Sequence, residues 1–349
     1  MKIDTSILDK IPSWFQAHGA EEDVVLSSRV RLSRNLTGFL FPRKLDLEDE
    51  IKIKDIIINA FDMLGMDLSL LSVSEISGIE RRMLVERYIL SQDFILSKHK
   101  SFILNEDQNT SCMINELDHL RLVVFDAGLS LQTIYKTIDS IELNLEKVLD
   151  FAVSLEFGYL NENVRNSGTG LKASVILHLP ALVHLSLFDR AIKSSLDKEY
   201  TVKGYMGNDE GSLGDLYQIS NGLSIGYDEK TIIEKLTEIT LKLVNYERQA
   251  RVELVNKRKP ELEDRFYRSL GLISSCRLLN QTEAVKALTD IRLGIVLGFS
   301  EIDILKVNSL LLLIQKAHIQ NILNNNESDT LTINLKRSEL VKNLLGLGK

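Results

Sequence analysis

Between residue 24 and about residue 230, short apolar and β-branched runs alternate with turn residues. The segments SFILN, SCMIN, LRLVVF and SVILHL are predicted strands. Between two of them, LQTIYKTIDSIELNLEKVLDFAVSL carries apolar residues at helical spacing. From about 230 to 320 the pattern is helical almost throughout, as in TIIEKLTEITLKLVNYERQARVELV and TEAVKALTDIRLGIVLG. NNNESDT then forms a polar linker ahead of a short helix-like LKRSELVKNLLG. Prolines occur only at 12, 42, 180 and 260, and no internal repeat is present. An α+β domain followed by a helical one accounts for this pattern.

Composition narrows the function classes. The 349 residues suit two domains, and 44% hydrophobic with 26% charged is ordinary for a globular chain. A net charge of −7 offers no global field for nucleic acid. Cys112 and Cys276 are too few for a disulfide scaffold or zinc cluster and are expected to be buried free thiols. The N-terminal MKIDTSILDKIPSWF lacks a signal-peptide core, and VNSLLLLIQKAHI is broken by Gln315 and Lys316 before it could span a bilayer. The expectation is a cytoplasmic protein engaging neither membrane nor nucleic acid.

Four separate stretches offer cations. In LSSRVRLSRN, extended backbone would project Arg29 and Arg31 from one face, a geometry suited to a polyanion. Arg121 closes MINELDHLRL, Lys172 follows the glycine turn of RNSGTGLK, and Lys203 opens VKGYMGNDEGSLGD. The Gly168–Thr169–Gly170 turn can aim backbone N–H groups at phosphate, although it is neither a Walker loop nor GxGxxG. The glycines at 204, 207, 211 and 214 exceed what one turn needs and read as a mobile flap. His178 and His184 lack metal-ligand spacing and read as core or helix-facing. In MINELDHLRL an extended reading points Glu116 and Asp118 one way and Leu117 the other. Together the cations could clamp a nucleotide's phosphates, since phosphoryl transfer is largely charge neutralisation and positioning.

These same residues resemble those of the bacterial protein arginine kinases, relatives of creatine and arginine kinases in the ATP:guanidino phosphotransferases. The likeness runs nearly end to end, through IPSWF, VVLSSRVRLSRNL, LVERYILS, NELDHLR, GYLNENVRNSGTGLKASVILHLPALV, KGYMG with LGDLYQISN, and ELEDRFYRSLGLISSCRLL with LTDIRLGIVLG. The resemblance implies an N-terminal segment over 1–22, a catalytic domain over 23–245 built on a large, mainly antiparallel sheet flanked by helices, and a helical domain over 246–349. It implies ATP with Mg2+ and transfer of the γ-phosphate to protein arginine. Carried over position by position, the nucleotide site comprises Ser27, Ser28, Arg29, Val30, Arg31, Tyr88, Arg121, Lys172, Ala173, Ser174, Val175, Ile176, Lys203, Gly204, Tyr205, Met206, Gly207 and Asn208.

The chain departs from the family at the positions that carry the chemistry. The family reads N-E-E-D-H where Leu117 stands at the second glutamate, and R-G-x-Y-G-E where Asn208 stands at the other catalytic glutamate. Asn163 takes the reactive-cysteine position, Lys172 and Lys203 replace arginines, and Tyr88 replaces a nucleotide-associated histidine. In the C-terminal R-D-x-x-R-A pocket for phosphoarginine, the matching residues are Ile333, Asn334, Arg337 and Ser338, so the pocket is expected to be degraded, with Arg337 a solvated charge. Arg-to-Lys keeps charge but loses the bidentate fork. Losing a positioned base removes roughly 10² to 10⁴ in rate. The expectation is weak or lost catalysis with nucleotide binding partly kept. Alternatives are a pseudokinase that binds an active kinase, an activator protein or a Clp-type ATPase, and a phosphotransferase with a changed acceptor. The family further suggests a homodimer.

Overall fold

The computed structural model describes residues 4–206 and 211–347. Its elements run β1 (Val25–Arg34), α1 (Leu47–Met63), β2 (Leu68–Ser72), α2 (Gly78–Glu86), β3 (Ser101–Asn105), β4 (Thr110–Ile114), β5 (Leu120–Ala127) and α3 (Leu131–Leu145). A small hairpin of β6 (Val153–Ser154) and β7 (Gly158–Tyr159) precedes β8 (Leu171–His178), α4 (Pro180–His184), α5 (Phe188–Ser195), β9 (Tyr200–Gly204) and β10 (Leu216–Asn221). The rest is helical: α6 (Glu229–Ser275), α7 (Gln281–Val296), α8 (Ile304–Leu313), α9 (Lys316–Leu323) and α10 (Thr330–Leu345).

Among the described residues, eight strands form one sheet in the order β2-β3-β4-β5-β1-β8-β10-β9, and every pairing is antiparallel. One face is apolar: Val30, Leu32, Leu122, Val124, Ala173 and Val175 are buried in the main core. α3 lies on that face and presents Leu131, Ile134, Ile138, Ile141 and Leu145 to it, a helical stripe. Helical periodicity extends past residue 145 in the sequence, yet the helix stops there. Tertiary pairing wins: Thr37 N–H donates to Asp150 O (2.9 Å) and Ala152 N–H to Asn35 O (2.7 Å), pulling the chain back along the end of β1. The strand-rich reading of this half also passes over α1 and α2. Both carry side-chain caps: Asp46 accepts from Asp49 N–H, and Ser77 with Glu80 forms a capping box.

α6 spans the boundary expected at 245/246 and kinks at Arg258 (φ −141°), two residues before Pro260. Its second half packs closely on α7, where a Cβ on Gly294 would stand 2.1 Å from the Phe266 ring. The helical part is tied to the sheet by Arg292, whose buried guanidinium donates to Asp23 O (3.0 Å), Asn308 Oδ1 (3.1 Å) and Glu22 O and lies 3.1 Å from His178 Nδ1. Burial, then Arg251, lowers the Arg292 pKa to about 9 against the opposing pull of Asp23, Glu22 and Glu247. His178 is a buried core histidine, and His184 contacts Arg265, matching the structural role expected for both. Among the described residues no helix is long and apolar enough to cross a membrane.

Replacing Arg292 by leucine would leave three acceptors without their donor. The expected cost is about 3 kcal/mol or more, read as a lower urea midpoint. An unchanged midpoint would show that this tie contributes nothing.

Candidate functional site

The polar face of the sheet is set by register. Directly paired residues share a face, and so do alternate residues along a strand. Arg31 of β1 pairs with Lys172 of β8, Ser33 with Arg121 of β5, and Gln218 of β10 with both Ile176 and Lys203. Arg29, Arg31, Arg121, Lys172 and Lys203 therefore all project from the face opposite the core. Ser27, Ser174 and Ile176 join them. Ser28, Val30, Ala173 and Val175, which fall within the stretches carried over from the family, point the other way. Val30, Ala173 and Val175 are in the core, and Ser28 Oγ donates to Gly128 O (2.7 Å).

The cations are crowded and under-compensated. Among the described residues, the Nε atoms of Arg29, Arg31 and Arg121 are buried without a hydrogen-bond partner. Burial, then Arg121, lowers the Arg29 pKa to about 10, while burial with Arg121 and Arg29 holds Arg31 well below the usual range. Burial, then Arg31, Arg29 and Lys203, lowers Lys172 to about 8, and its Nζ rests against Asn221 O. Unpaired buried donors repelling one another describe a site that an oxyanion would complete.

The hairpin between β4 and β5 corrects the extended reading of MINELDHLRL. Residues 115–119 form a bent loop, entered through Asn115 at φ 55°. The two acids diverge. Glu116 Oε2 sits 2.6 Å from Arg121 and accepts from Leu117 N–H (2.8 Å), and Oε1 accepts from Ser91 Oγ (2.8 Å). Burial would raise the Glu116 pKa, but Arg121 and these donors outweigh it and hold it below the usual value. Asp118 is 2% exposed and accepts from Asn35 Nδ2 (2.7 Å) and Glu162 N–H (2.9 Å), with burial raising its pKa. His119 accepts from Leu36 N–H (2.9 Å) and faces Leu40 O (2.8 Å), fastening the loop to the end of β1. Leu117 is half-buried between these committed neighbours.

The glycine turn is a clasp. Gly168 N–H donates to Tyr159 O and Thr169 N–H to Ser224 O, and Leu171 N–H donates to Thr169 Oγ1. The N–H groups of Gly168, Thr169 and Leu171 are thus spent within the protein and take no part in an anion cradle. The turn's carbonyl at Thr169 instead accepts from Arg34 (2.8 Å), whose guanidinium also engages Glu142 and lies 3.5 Å from the centre of the Tyr159 ring. A Cβ on Gly170 (φ 63°) would come 2.4 Å from that guanidinium.

The remaining residues singled out in the sequence lie apart. Asn163 is exposed on a turn, with Oδ1 accepting from Arg165 N–H (3.0 Å). Gly207 and Asn208 lie outside the described residues; the strands leading to them, β9 and β10, pair as a hairpin, which the flap reading did not include. Arg337 is not a solvated charge. It is 3% exposed and donates to Ile314 O (2.7 Å), Leu279 O (2.9 Å) and Asn334 Oδ1 (2.7 Å), with Ile333 buried beside it. Cys112 is buried, which pushes its thiol up to about 12, while Cys276 is only partly buried. Sequence reasoning missed Trp14 and Phe125, which stack at 5.0 Å beside Arg29. The outward parity of Phe125 opposite Arg29 was the available signal.

The profile described as ATP:guanido phosphotransferase, C-terminal catalytic domain, matches residues 52–250, and that described as Protein-arginine kinase McsB C-terminal domain matches 259–348. A protein-arginine kinase from Halothermothrix orenii is 35% identical over 99% of this chain and 100% of its own length. Another, from Bacillus subtilis, is 33% identical over 99% of this chain and 97% of its own. Among solved structures, the duplicated taurocyamine kinase from Schistosoma mansoni with bound transition-state-analog components superposes with a TM-score of 0.60 at 23% identity. It covers 76% of this chain, which spans only 40% of that one.

Lys172 gives the site a pH signature. A bound oxyanion raises its pKa above the free value of about 8, so affinity is full below that pH and falls above it. Between pH 7 and 9, affinity for inorganic tripolyphosphate should drop about fivefold, as for a cation regaining about one pKa unit on binding. The Lys172→Arg variant should show a flatter profile; equal falls in both would exclude Lys172 as the titrating group.

Proposed function

Because the chain belongs to the bacterial protein-arginine kinases of the ATP:guanido phosphotransferase family, we propose that it is a member that still holds phosphate through its basic face and has largely lost phosphoryl transfer to arginine. The relatives are named for arginine phosphorylation, a reaction that needs a nucleotide and a protein substrate. Bound Mg-ATP would supply the phosphoryl group. Arg29, Arg31, Arg121, Lys172 and Lys203 are the residues to hold its phosphates, and the three unpartnered buried Nε atoms fit that role. Among the described residues no cluster of three potential metal ligands exists, so Mg2+ would come with the nucleotide.

One observation carries the loss of chemistry: both acids flanking Leu117 are already committed to protein donors. Glu116 neutralises Arg121, and Asp118 braces Asn35 and the backbone of Glu162. Swinging either toward a guanidinium would abandon two or three hydrogen bonds and expose a buried partner. The side chain at 117 can neither hold a cation nor take its proton. A protein of this kind acts by binding, in complex with an active kinase, an activator or a Clp-type ATPase.

Turnover on an arginine-rich protein should lie at least ~10²-fold below the Bacillus subtilis relative assayed alongside. Leu117→Glu combined with Asn208→Glu should restore more than the two single changes together predict, because cooperating carboxylates act as a unit. Ordinary phosphoarginine formation by the native protein would overturn the proposal. ATP-dependent phosphorylation of a neutral acceptor would replace it with the changed-acceptor reading.

A further inference from the structure

The end of the basic face nearest Arg29 is walled by rings. Tyr88, in a left-handed conformation (φ 58°), stacks on Tyr205 with centroids 5.3 Å apart and planes at 27°. Tyr205 is 8% exposed. It borders two crevices that share Trp14, Ser27 and Ile176. The first reaches Arg29 and Phe125 and leaves a cavity of about 20 Å³; the second leaves about 10 Å³. Such a space holds one water at most. A purine ring does not enter it. Parting the stack would uncover the buried ring of Tyr205 and break its stacking on Tyr88. Arg31, Arg121 and Lys172 line neither crevice. They lie further along the face, with Arg31 roughly 7 Å beyond Arg29 by the repeat of a strand.

Resting on the phosphate-holding reading above, we propose that the Tyr88–Tyr205 stack fills the space a nucleobase would need, so that the face takes a compact inorganic phosphate chain and gains nothing from a nucleoside. The rings make this a specificity device: charge attracts the anion, and aromatic packing excludes the base. The base contributes to affinity only where it finds a surface to stack on, and here Tyr88 already occupies the face of Tyr205.

Calorimetric titration of the full chain with tripolyphosphate and with ATP, each with Mg2+, tests this without any variant. Tripolyphosphate should bind at least as tightly as ATP. ATP binding tenfold or more tighter would overturn the closure while leaving the phosphate-holding reading intact. No heat from either ligand with folded protein would remove both. Tyr205→Ala should then tighten ATP relative to tripolyphosphate by about tenfold, near 1.4 kcal/mol. Equal or weaker ATP binding, on that relative scale, by a folded Tyr205→Ala protein would also overturn the proposal. Tyr88→Ala, which opens the stack from its more exposed partner, should act in the same direction.

Discussion

The basic face exists because β1 is paired on both sides with its alternation in phase with its neighbours. Arg29 and Arg31 point out only while Val30 and Leu32 point in. The same holds for Arg121 against Leu122, and for Lys172 against Ala173. A one-residue slip would drive guanidinium groups into the packing of α3 and α6 and expose the aliphatic side chains. The core thus fixes the charge constellation from behind. Hydrophobic burial on one face holds together, on the other, cations that would otherwise separate. Nothing in the site's own chemistry would assemble them, since each lowers the pKa of the next.

That constraint explains which parts of the molecule were legible in the sequence. SFILN coincides with β3, and LRLVVF lies within β5, because period-two runs bounded by turn residues carry their own signal. The shared face of Arg29 and Arg31 followed from strand parity alone. Readings failed where a short polar segment could serve two backbones. NELDH looks extended by alternation, but five residues between paired strands must turn, and Asn115 tolerates the left-handed entry. The glycine turn looked like a phosphate loop because composition does not reveal where its N–H groups point; Tyr159 and Ser224 are distant in sequence and absorb them. Arg337 looked solvated because its acceptors are backbone carbonyls, which no side-chain pattern announces. The family resemblance supplied what periodicity could not, namely that Leu117 stands where a glutamate is expected.

The substitutions are consistent with one another in physical terms. A glutamate beside Glu116 and Asp118 would put three carboxylates in one five-residue loop, a repulsion tolerable when a cationic guanidinium is bound between them. With leucine at 117 that repulsion is gone, and the flanking acids are free to serve the protein's own cations and loops. Glu116 then becomes the internal counter-ion of Arg121. Asp118 is held in the same loop by Asn35 and the backbone of Glu162, so both acids beside Leu117 serve contacts within the protein.

What remains is a face with more positive charge than the protein can satisfy. Glu116 answers Arg121 at one edge, while the Nε atoms of Arg29, Arg31 and Arg121 stay unpartnered. An unsatisfied buried donor costs about 1–3 kcal/mol, which the sheet core behind it offsets. Lysine at 172 lessens the strain, because a depressed amine can shed its proton where a guanidinium cannot. An anion held on this face, as proposed, would complete the hydrogen bonding of the fold as well as occupy a site. Its binding free energy would then add to folding stability, because the charges on β1, β5 and β8 would stop opposing their own strand pairing.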